Sequence, residues 1–129
     1  MIHETANVFD SAILGENVKV GAFAEIGRNV EIGDGSNISA GVYIPENVVI
    51  GKNVFIGPHA VFTNDKKPPS NGEWRNTEKT YVNDGASIGA NSTILPSVTI
   101  GKNSLIGAGS VVTKNVPDNT TAYGNPAKW

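Results

Sequence analysis

Residues 26–56 read IGRNVEIGDGSNISAGVYIPENVVIGKNVFI, and an isoleucine stands at every sixth position of this stretch. The same step of six extends back to Ile2 and forward to Phe62, always on a large apolar residue. A second series with the same step runs from Val82 to Val112. A fixed period of this kind indicates an internal structural repeat, and the helical period of 3.6 is not present.

Each repeat unit predicts a short strand followed by a turn. In residues 30–32 (VEI), strand alternation directs the two outer side chains inward and the middle one outward. Residues 51–53 (GKN) are typical of the turns, because Gly and Asn tolerate positive φ best. Strands this short must stack on one another, so three sides form one coil. The sequence therefore predicts an all-β fold, a parallel β-helix of about five to six coils.

The repeat is interrupted between Phe62 and Val82, which are twenty residues apart instead of eighteen. Residues 63–81 lack inward anchors and contain Pro68 and Gly72, which predicts a long protruding loop. A long loop in a chain whose other turns are short is usually functional, although a tolerated surface insertion is the alternative.

The repeat also ends after Val112. Pro117 and Pro126 predict that coiling stops and that residues 113–129 form an irregular C-terminal tail, folded back over the prism. With this tail, residues 1–129 are predicted to form a single β-helix domain.

Composition excludes several classes of function. The chain has 129 residues, no cysteine and a net charge of −2, so a disulfide scaffold, a thiolate metal site and a basic nucleic-acid surface are not expected. No apolar run is long enough to span a membrane, and the cytoplasm is the default location. His3 and His59 are the only histidines and follow no zinc-ligand pattern, so no metal is predicted.

Three segments in the second half of the chain resemble the C-terminal coils of the hexapeptide-repeat acyltransferases. They are residues 85–91 (GASIGAN), 107–114 (GAGSVVTK) and 124–128 (GNPAK). The resemblance implies a left-handed coil and a homotrimer with acetyl-CoA bound in the groove between neighbouring prisms. The residues that it implies for CoA binding are Ser87, Ala90, Ala108, Thr113, Lys114 and Lys128. The first four would line the pantetheine arm, and the two lysines would meet the CoA phosphates as point charges.

The run at residues 57–66 (GPHAVFTNDK), followed by Pro68, resembles a narrower group. This group comprises the N-acetyltransferases of nucleotide-linked amino sugars, such as the 3-amino-deoxyhexose type. The resemblance implies acetylation of the amino group of a dTDP- or UDP-linked sugar for surface-polysaccharide biosynthesis. The chain departs from the group at Asn83-Asp84, where basic residues are expected, and at Asn115, where Asp is common.

Acetyl transfer from a thioester to an amine needs orientation and a proton acceptor. The leaving thiolate is a modest base, with a pKa of about 8.5 for an ordinary thiol, so positioning of the amine supplies much of the catalysis. Asn64 and Asp65 are the candidates that would hold and deprotonate the amine. His59 is the competing base, but it stands at the turn position that Asn53 and Asn103 occupy in other units, so a purely structural role is equally open.

Trp74, Arg75 and Tyr81 are candidates for contacting the substrate's nucleotide and its phosphates. For Trp74 the alternative is that it fastens the loop to a neighbouring prism. Two other functions remain open: an O-acetyltransferase with His59 as general base, and a non-catalytic trimeric β-helix module.

Overall fold

The computed structural model describes all of residues 1–129. Three sheets form the three faces of a prism, and successive strands of the chain join these faces in turn. Face 1 contains β1 (Asn7–Val8), β4 (Glu25–Ile26), β7 (Tyr43–Ile44), β10 (Val61–Phe62), β13 (Thr93–Ile94) and β16 (Val111–Val112). Face 2 contains β2 (Ile13–Leu14), β5 (Glu31–Ile32), β8 (Val48–Ile50), β11 (Thr80–Val82) and β14 (Thr99–Ile100). Face 3 contains β3 (Lys19–Val20), β6 (Asn37–Ile38), β9 (Phe55–Ile56), β12 (Ser87–Ile88), β15 (Leu105–Ile106), β17 (Thr121–Gly124) and β18 (Ala127–Lys128). The predicted all-β parallel β-helix is confirmed.

Neighbouring strands on a face pair in parallel at a register of one coil. Ile26 lies beside Ile44, and Ile38 lies beside Ile56. Within each strand the anchor residue points inward, so the anchors stack into a core of 26 buried residues. Ile26, Ile38, Ile44, Ile56 and Phe62 are fully buried, as the six-residue step predicts. None of the helical segments approaches the length and apolarity that crossing a bilayer requires.

The corners explain why the turn residues are restricted. Asn29, Asn53 and Asn103 have φ between 54° and 60°, in the left-handed region that Asn adopts more easily than most residues. Coils also approach closely at these corners. A Cβ added to Gly57 would lie 2.7 Å from the backbone nitrogen of Ala90 one coil further, so only glycine fits there.

The loop is shorter than predicted, because Thr80 and Tyr81 belong to β11. Thr80 is buried and pairs with Val48 on face 2. Residues 63–79 therefore replace the three-residue corner 45–47 of the previous coil. The step from Phe62 to Val82 is thus one repeat unit with fourteen inserted residues, which changes the register of the six-residue pattern by two. The loop also contains one turn of 3-10 helix, Glu73–Asn76.

The tail differs from the prediction in its first half. Val116 pairs with Ile100, and β17 pairs in parallel with β15, so coiling continues past Pro117. Pro117 holds the position that Gly101 holds one coil earlier. The amide of Gly101 donates to Val116 O in the next coil, but at Pro117 this face has no next coil with a carbonyl to accept such a bond. The missing N–H of proline therefore costs nothing here. Beyond Gly124 the chain reverses as predicted, and β18 runs antiparallel to β17.

We expect the substitution Ile56→Ala to lower the free energy of unfolding by about 2–5 kcal/mol, because it leaves a cavity in a fully buried column. The matched control is Ile13→Ala, since the side chain of Ile13 is 64% exposed on face 2. Urea unfolding of both variants measures the difference. Equal effects would contradict the inward and outward assignment of the strand residues.

Candidate functional site

Most of the predicted site residues lie at the two edges of face 1, whereas Tyr81, Ser87 and Lys128 belong to strands of the other two faces. We call the edge between faces 1 and 2 the loop corner; it comprises residues 45–47, the loop 63–79, residues 95–97 and residues 113–115. The edge between faces 3 and 1 is the histidine corner, formed by residues 57–59, 89–91 and 107–109. Face 1 separates the two corners.

The C-terminal end of the loop is fastened to the coils on both sides of it. The side-chain amide of Asn47 donates to the carbonyls of Trp74 and Glu78, both at 3.4 Å. From the other side, Ser97 Oγ donates to Glu78 O at 2.8 Å, and the backbone N–H of Ser97 donates to Thr80 Oγ1 at 2.9 Å. These bonds fix the C-terminal end of the loop between two corner turns.

A cleft of about 380 Å³ lies between the start of the loop, residues 63–66, which we call the loop root, and the last two coils. Its polar wall includes Asp65, Lys66, Thr113 and Lys114, and we call it the Asp65 cleft. Asp65 is half-buried, and its two carboxylate oxygens accept backbone N–H bonds from Lys67 at 3.3 Å and Ser70 at 2.9 Å. Because a carboxylate offers about four lone-pair sites, capacity for a substrate hydrogen bond remains.

Asn64 points to the other side of the loop root. Its side-chain amide donates to Glu46 O at 3.1 Å, and it lines a separate pocket of about 150 Å³ with Trp74 and Arg75. Consecutive residues of an extended segment face opposite directions. The structure therefore does not bring the side chains of Asn64 and Asp65 into one cavity, although both were predicted to hold the same amine.

The three residues predicted to contact the nucleotide do not lie together either. Trp74 is half-buried, and the guanidinium of Arg75 stacks on its ring at 4.3 Å from the centroid. Tyr81 lies instead on face 2, between Val49 and Thr99, with 41% of its surface exposed. Tyr81 lines neither the Asp65 cleft nor the pocket of Trp74.

The C-terminal hairpin brings three of the predicted CoA contacts together. Thr113, Lys114 and Lys128 line a depression of about 310 Å³ that also includes Pro126 and Trp129, and we call it the tail cleft. Thr113 and Lys114 line the Asp65 cleft as well, so the two clefts are contiguous.

The remaining predicted residues belong to the histidine corner or to face 3. His59 is exposed, has φ of 60°, and packs its ring against the Gly41 backbone, where an added Cβ would collide with Nδ1. Ala90 and Ala108 lie one and two coils later at the same corner, in the turn position that Pro58 occupies and next to the column of His59. Ser87 faces outward from face 3. Within one chain none of these residues lines the Asp65 cleft.

One cluster in the structure was missed by sequence reasoning. Arg28 and Arg75 both approach Glu46 Oε1, each at 3.7 Å, and Arg28 also stacks on Phe9 at 5.3 Å. Arg28 occupies an ordinary turn position, so the repeat itself gives no signal for it. Only the composition could have drawn attention to the pair, because these two residues are the only arginines in the chain.

No group of three or more His, Cys, Asp or Glu side chains is arranged to hold a metal ion. The polar groups of the two contiguous clefts, a carboxylate with nearby ammonium and hydroxyl groups, suit an anionic organic ligand instead.

Several solved structures share this fold over nearly the whole chain. PerB from Caulobacter crescentus, solved with CoA and GDP-perosamine, is 31% identical with a TM-score of 0.86; the match covers 98% of this chain and 55% of that one. The acetyltransferase domain of PglB from Neisseria gonorrhoeae, solved with acetyl coenzyme A, is 27% identical with a TM-score of 0.85, covering 98% and 55%. WeeI from Acinetobacter baumannii is 28% identical with a TM-score of 0.81, covering 97% and 55%.

This chain thus spans about half the length of the solved chains that it matches. None of the curated protein sequences compared with the chain matches it. The family model described as bacterial transferase hexapeptide (six repeats) matches residues 11–46, 29–64 and 79–114. Because these matches span both repeat series on either side of the loop, the chain belongs to the bacterial transferase hexapeptide family.

Proposed function

We propose that the protein transfers an acetyl group from acetyl-CoA to the amino group of a nucleotide-linked amino sugar. The observation that carries this proposal is the contiguity of the Asp65 cleft and the tail cleft. A proton acceptor for the amine and two cations for a phosphorylated donor lie along one continuous surface. The 31% identity to PerB, which was solved with CoA and GDP-perosamine, supports the same ligand pair.

In this proposal acetyl-CoA lies along the tail cleft. Lys114 and Lys128 pair with its phosphates, and Thr113 lies beside the path of the pantetheine arm. The thioester supplies an acyl group that is already activated, so the protein's task is to orient it towards the Asp65 cleft.

The chemistry requires the neutral amine to attack the thioester carbonyl. The C–N bond forms, the C–S bond breaks, and the CoA thiolate leaves. Asp65 accepts the proton that the amine nitrogen loses, while the backbone bonds from Lys67 and Ser70 hold the carboxylate in place. Asn64 acts from the other side of the loop root by fastening it to Glu46 O.

We further propose a homotrimer with the site between neighbouring prisms. Support comes from the division of the predicted residues, because Ser87, Ala90, Ala108 and His59 lie across face 1 from the Asp65 cleft in a single chain. A neighbouring copy that presents its histidine corner to the loop corner would complete one site. We also propose that the reaction takes place in the cytoplasm, the default location expected from the sequence, and that it serves surface-polysaccharide biosynthesis, as the sequence resemblance implies.

A thiol-release assay with acetyl-CoA tests the function directly. The panel contains dTDP-, UDP- and GDP-linked 3-amino and 4-amino sugars together with their hydroxyl counterparts. We expect turnover with at least one amino sugar and none with its hydroxyl counterpart. Acceptance of hydroxyl sugars alone would replace the proposal with an O-acetyltransferase.

We expect Asp65→Asn to lower kcat about a hundredfold or more, because the amide cannot accept the amine proton. The acetyl-CoA dissociation constant should stay unchanged. The control is Asp84→Asn, since Asp84 also accepts a backbone N–H, from Lys52 at 2.8 Å, but lies outside the cleft. Steady-state kinetics on both variants separates loss of the base from loss of a structural acceptor. Full activity of the Asp65 variant would remove Asp65 from the mechanism.

For His59→Asn we expect a fall in kcat of less than about tenfold, below the contribution of a typical general base. Asparagine keeps the left-handed backbone that His59 adopts, so the corner stays intact. The same change at the other histidine, His3→Asn, controls for the loss of an imidazole. If activity collapses in the His59 variant alone, the base is His59 and a hydroxyl acceptor becomes the better reading.

Lys114→Ala and Lys128→Ala should each raise the acetyl-CoA dissociation constant by up to about fivefold, the range for exposed ion pairs. The effect should shrink at high salt. Lys102→Ala serves as the control, because Lys102 is exposed outside the tail cleft. Calorimetric titration gives the three constants. Absence of acetyl-CoA binding to the unmodified protein would contradict every transferase proposal.

A further inference from the structure

The two arginines of the chain meet at one oxygen atom. Arg28 belongs to a corner turn between β4 and β5, and Arg75 belongs to the loop, yet both guanidiniums lie 3.7 Å from Glu46 Oε1. The other eight basic residues are lysines. Arginine differs from lysine in offering a planar fork of donors that matches phosphate and carboxylate groups. The use of arginine at these two positions alone points to recognition of such a group.

Both guanidiniums are held in place by aromatic rings. Arg28 stacks on Phe9 at 5.3 Å, and Arg75 stacks on Trp74 at 4.3 Å. Stacking occupies the flat surface of a guanidinium and leaves its N–H edge free to donate. The pair is therefore preorganised around a shared point, and little side-chain entropy is lost when an anion binds there.

The Glu46 carboxylate lies at that point but makes no hydrogen bond to either guanidinium. Its Oε1 is buried and has no hydrogen-bond partner. The distance of 3.7 Å exceeds the upper limit of about 3.2 Å for an N–H···O bond. The side chains of Arg28 and Arg75 are 56% and 53% exposed, so their donors are accessible from solvent. A ligand oxygen that makes short bonds to both arginines can thus replace the carboxylate.

The size of the pocket limits what can enter. At about 150 Å³ it is about half the smallest volume, roughly 300 Å³, of pockets that enclose a whole small molecule. It accepts a phosphate or diphosphate group, with the rest of the ligand outside. Glu25 also lines the pocket, so two carboxylates balance the two arginines before an anion arrives.

We propose that Arg28 and Arg75 bind the diphosphate of the nucleotide-linked substrate, displacing the Glu46 carboxylate. This inference rests on the proposed function and specifies where the nucleotide part of the acceptor is held. Asn64 lines this pocket and Asp65 lines the catalytic cleft, so the loop root is the common wall of both. In this proposal the attached sugar extends from the arginine pocket past the loop root to the carboxylate of Asp65.

The test measures binding of GDP, UDP, dTDP and inorganic pyrophosphate by calorimetry, with acetyl-CoA titrated in parallel. The variants are Arg28→Gln, Arg75→Gln, Arg28→Lys, Arg75→Lys and Glu46→Gln. The control is Lys79→Gln, which removes a loop cation outside the pocket. Thermal unfolding of each variant checks that the fold is intact, and the lysine variants keep the charge where a glutamine variant fails to fold.

We expect each glutamine substitution of an arginine to weaken binding of at least one nucleoside diphosphate by about tenfold or more, the loss of a charge-assisted hydrogen bond. The lysine variants should be intermediate, because they keep the charge but lose the fork. Glu46→Gln should tighten binding severalfold, since it removes the internal competitor. Acetyl-CoA affinity should be unchanged in all variants.

Three results would overturn the inference. Equal diphosphate affinity in the arginine variants and the Lys79 control would leave the cluster as a fastening for the loop. Lower thermal stability in Glu46→Gln with no gain in affinity would indicate the same structural role. Weaker acetyl-CoA binding with unchanged nucleoside-diphosphate binding would assign the pocket to CoA phosphates. Failure of the proposed function is distinguishable, because it would appear in the unmodified protein as absent acetyl-CoA binding or absent amino-sugar turnover, whatever the diphosphate affinities of the variants.

Discussion

The structure depends on backbone hydrogen bonds that run from each coil to the next. Gly27 N donates to Ile44 O and Gly57 N donates to Ile88 O, both at 2.7 Å. Since every strand is only two or three residues long within the regular coils, a shift of one residue would turn its anchor outward and break these bonds. Additional residues are therefore accommodated only at a corner. The loop obeys this constraint, because it begins after Phe62 and ends before Thr80, and the strands on either side keep their register.

The same constraint gives the site its rigidity. A long loop on a flexible scaffold would lose most of its order, but here corner residues on both neighbouring coils bind it. Asn47 and Ser97 both donate side-chain bonds to Glu78 O, so the loop leaves and rejoins a fixed edge of the prism. Face 1 likewise sets a constant separation between Asp65 at one edge and His59 at the other. Chemistry that needs both edges must therefore bring together two copies of the prism instead of bending one.

The fold could be predicted from the apolar residue at every sixth position, because the interior of a narrow prism accepts only an apolar side chain at each of these inward positions. Thr80 was assigned to the loop because it is polar, although its hydroxyl accepts the Ser97 amide and so satisfies burial. Val116 does not fit the sequence pattern, because it follows the anchor Val112 by four residues instead of six. The orientations of Asn64 and Asp65 could not be predicted, since a loop has no period to fix them. The approach of Arg28 and Arg75 to Glu46 joins distant segments of the chain, and no local pattern encodes it.

The loop root connects the two halves of the proposed acceptor site by covalent geometry. Asn64 and Asp65 are consecutive residues with Cα atoms about 3.8 Å apart. A displacement of the backbone at Asn64 would therefore also displace the backbone at Asp65. An anion that replaces the Glu46 carboxylate changes the partner of Arg75 while Asn64 stays bonded to the Glu46 carbonyl. The main-chain attachment of the loop thus survives when the side chain of Glu46 is displaced. Glu46 therefore makes two independent contacts, one through its main-chain carbonyl to Asn64 and one through its side-chain carboxylate to Arg75. Because they are independent, a diphosphate can enter or leave the proposed arginine pocket while Asp65 stays in place. A site that must release its product after each turnover requires this separation.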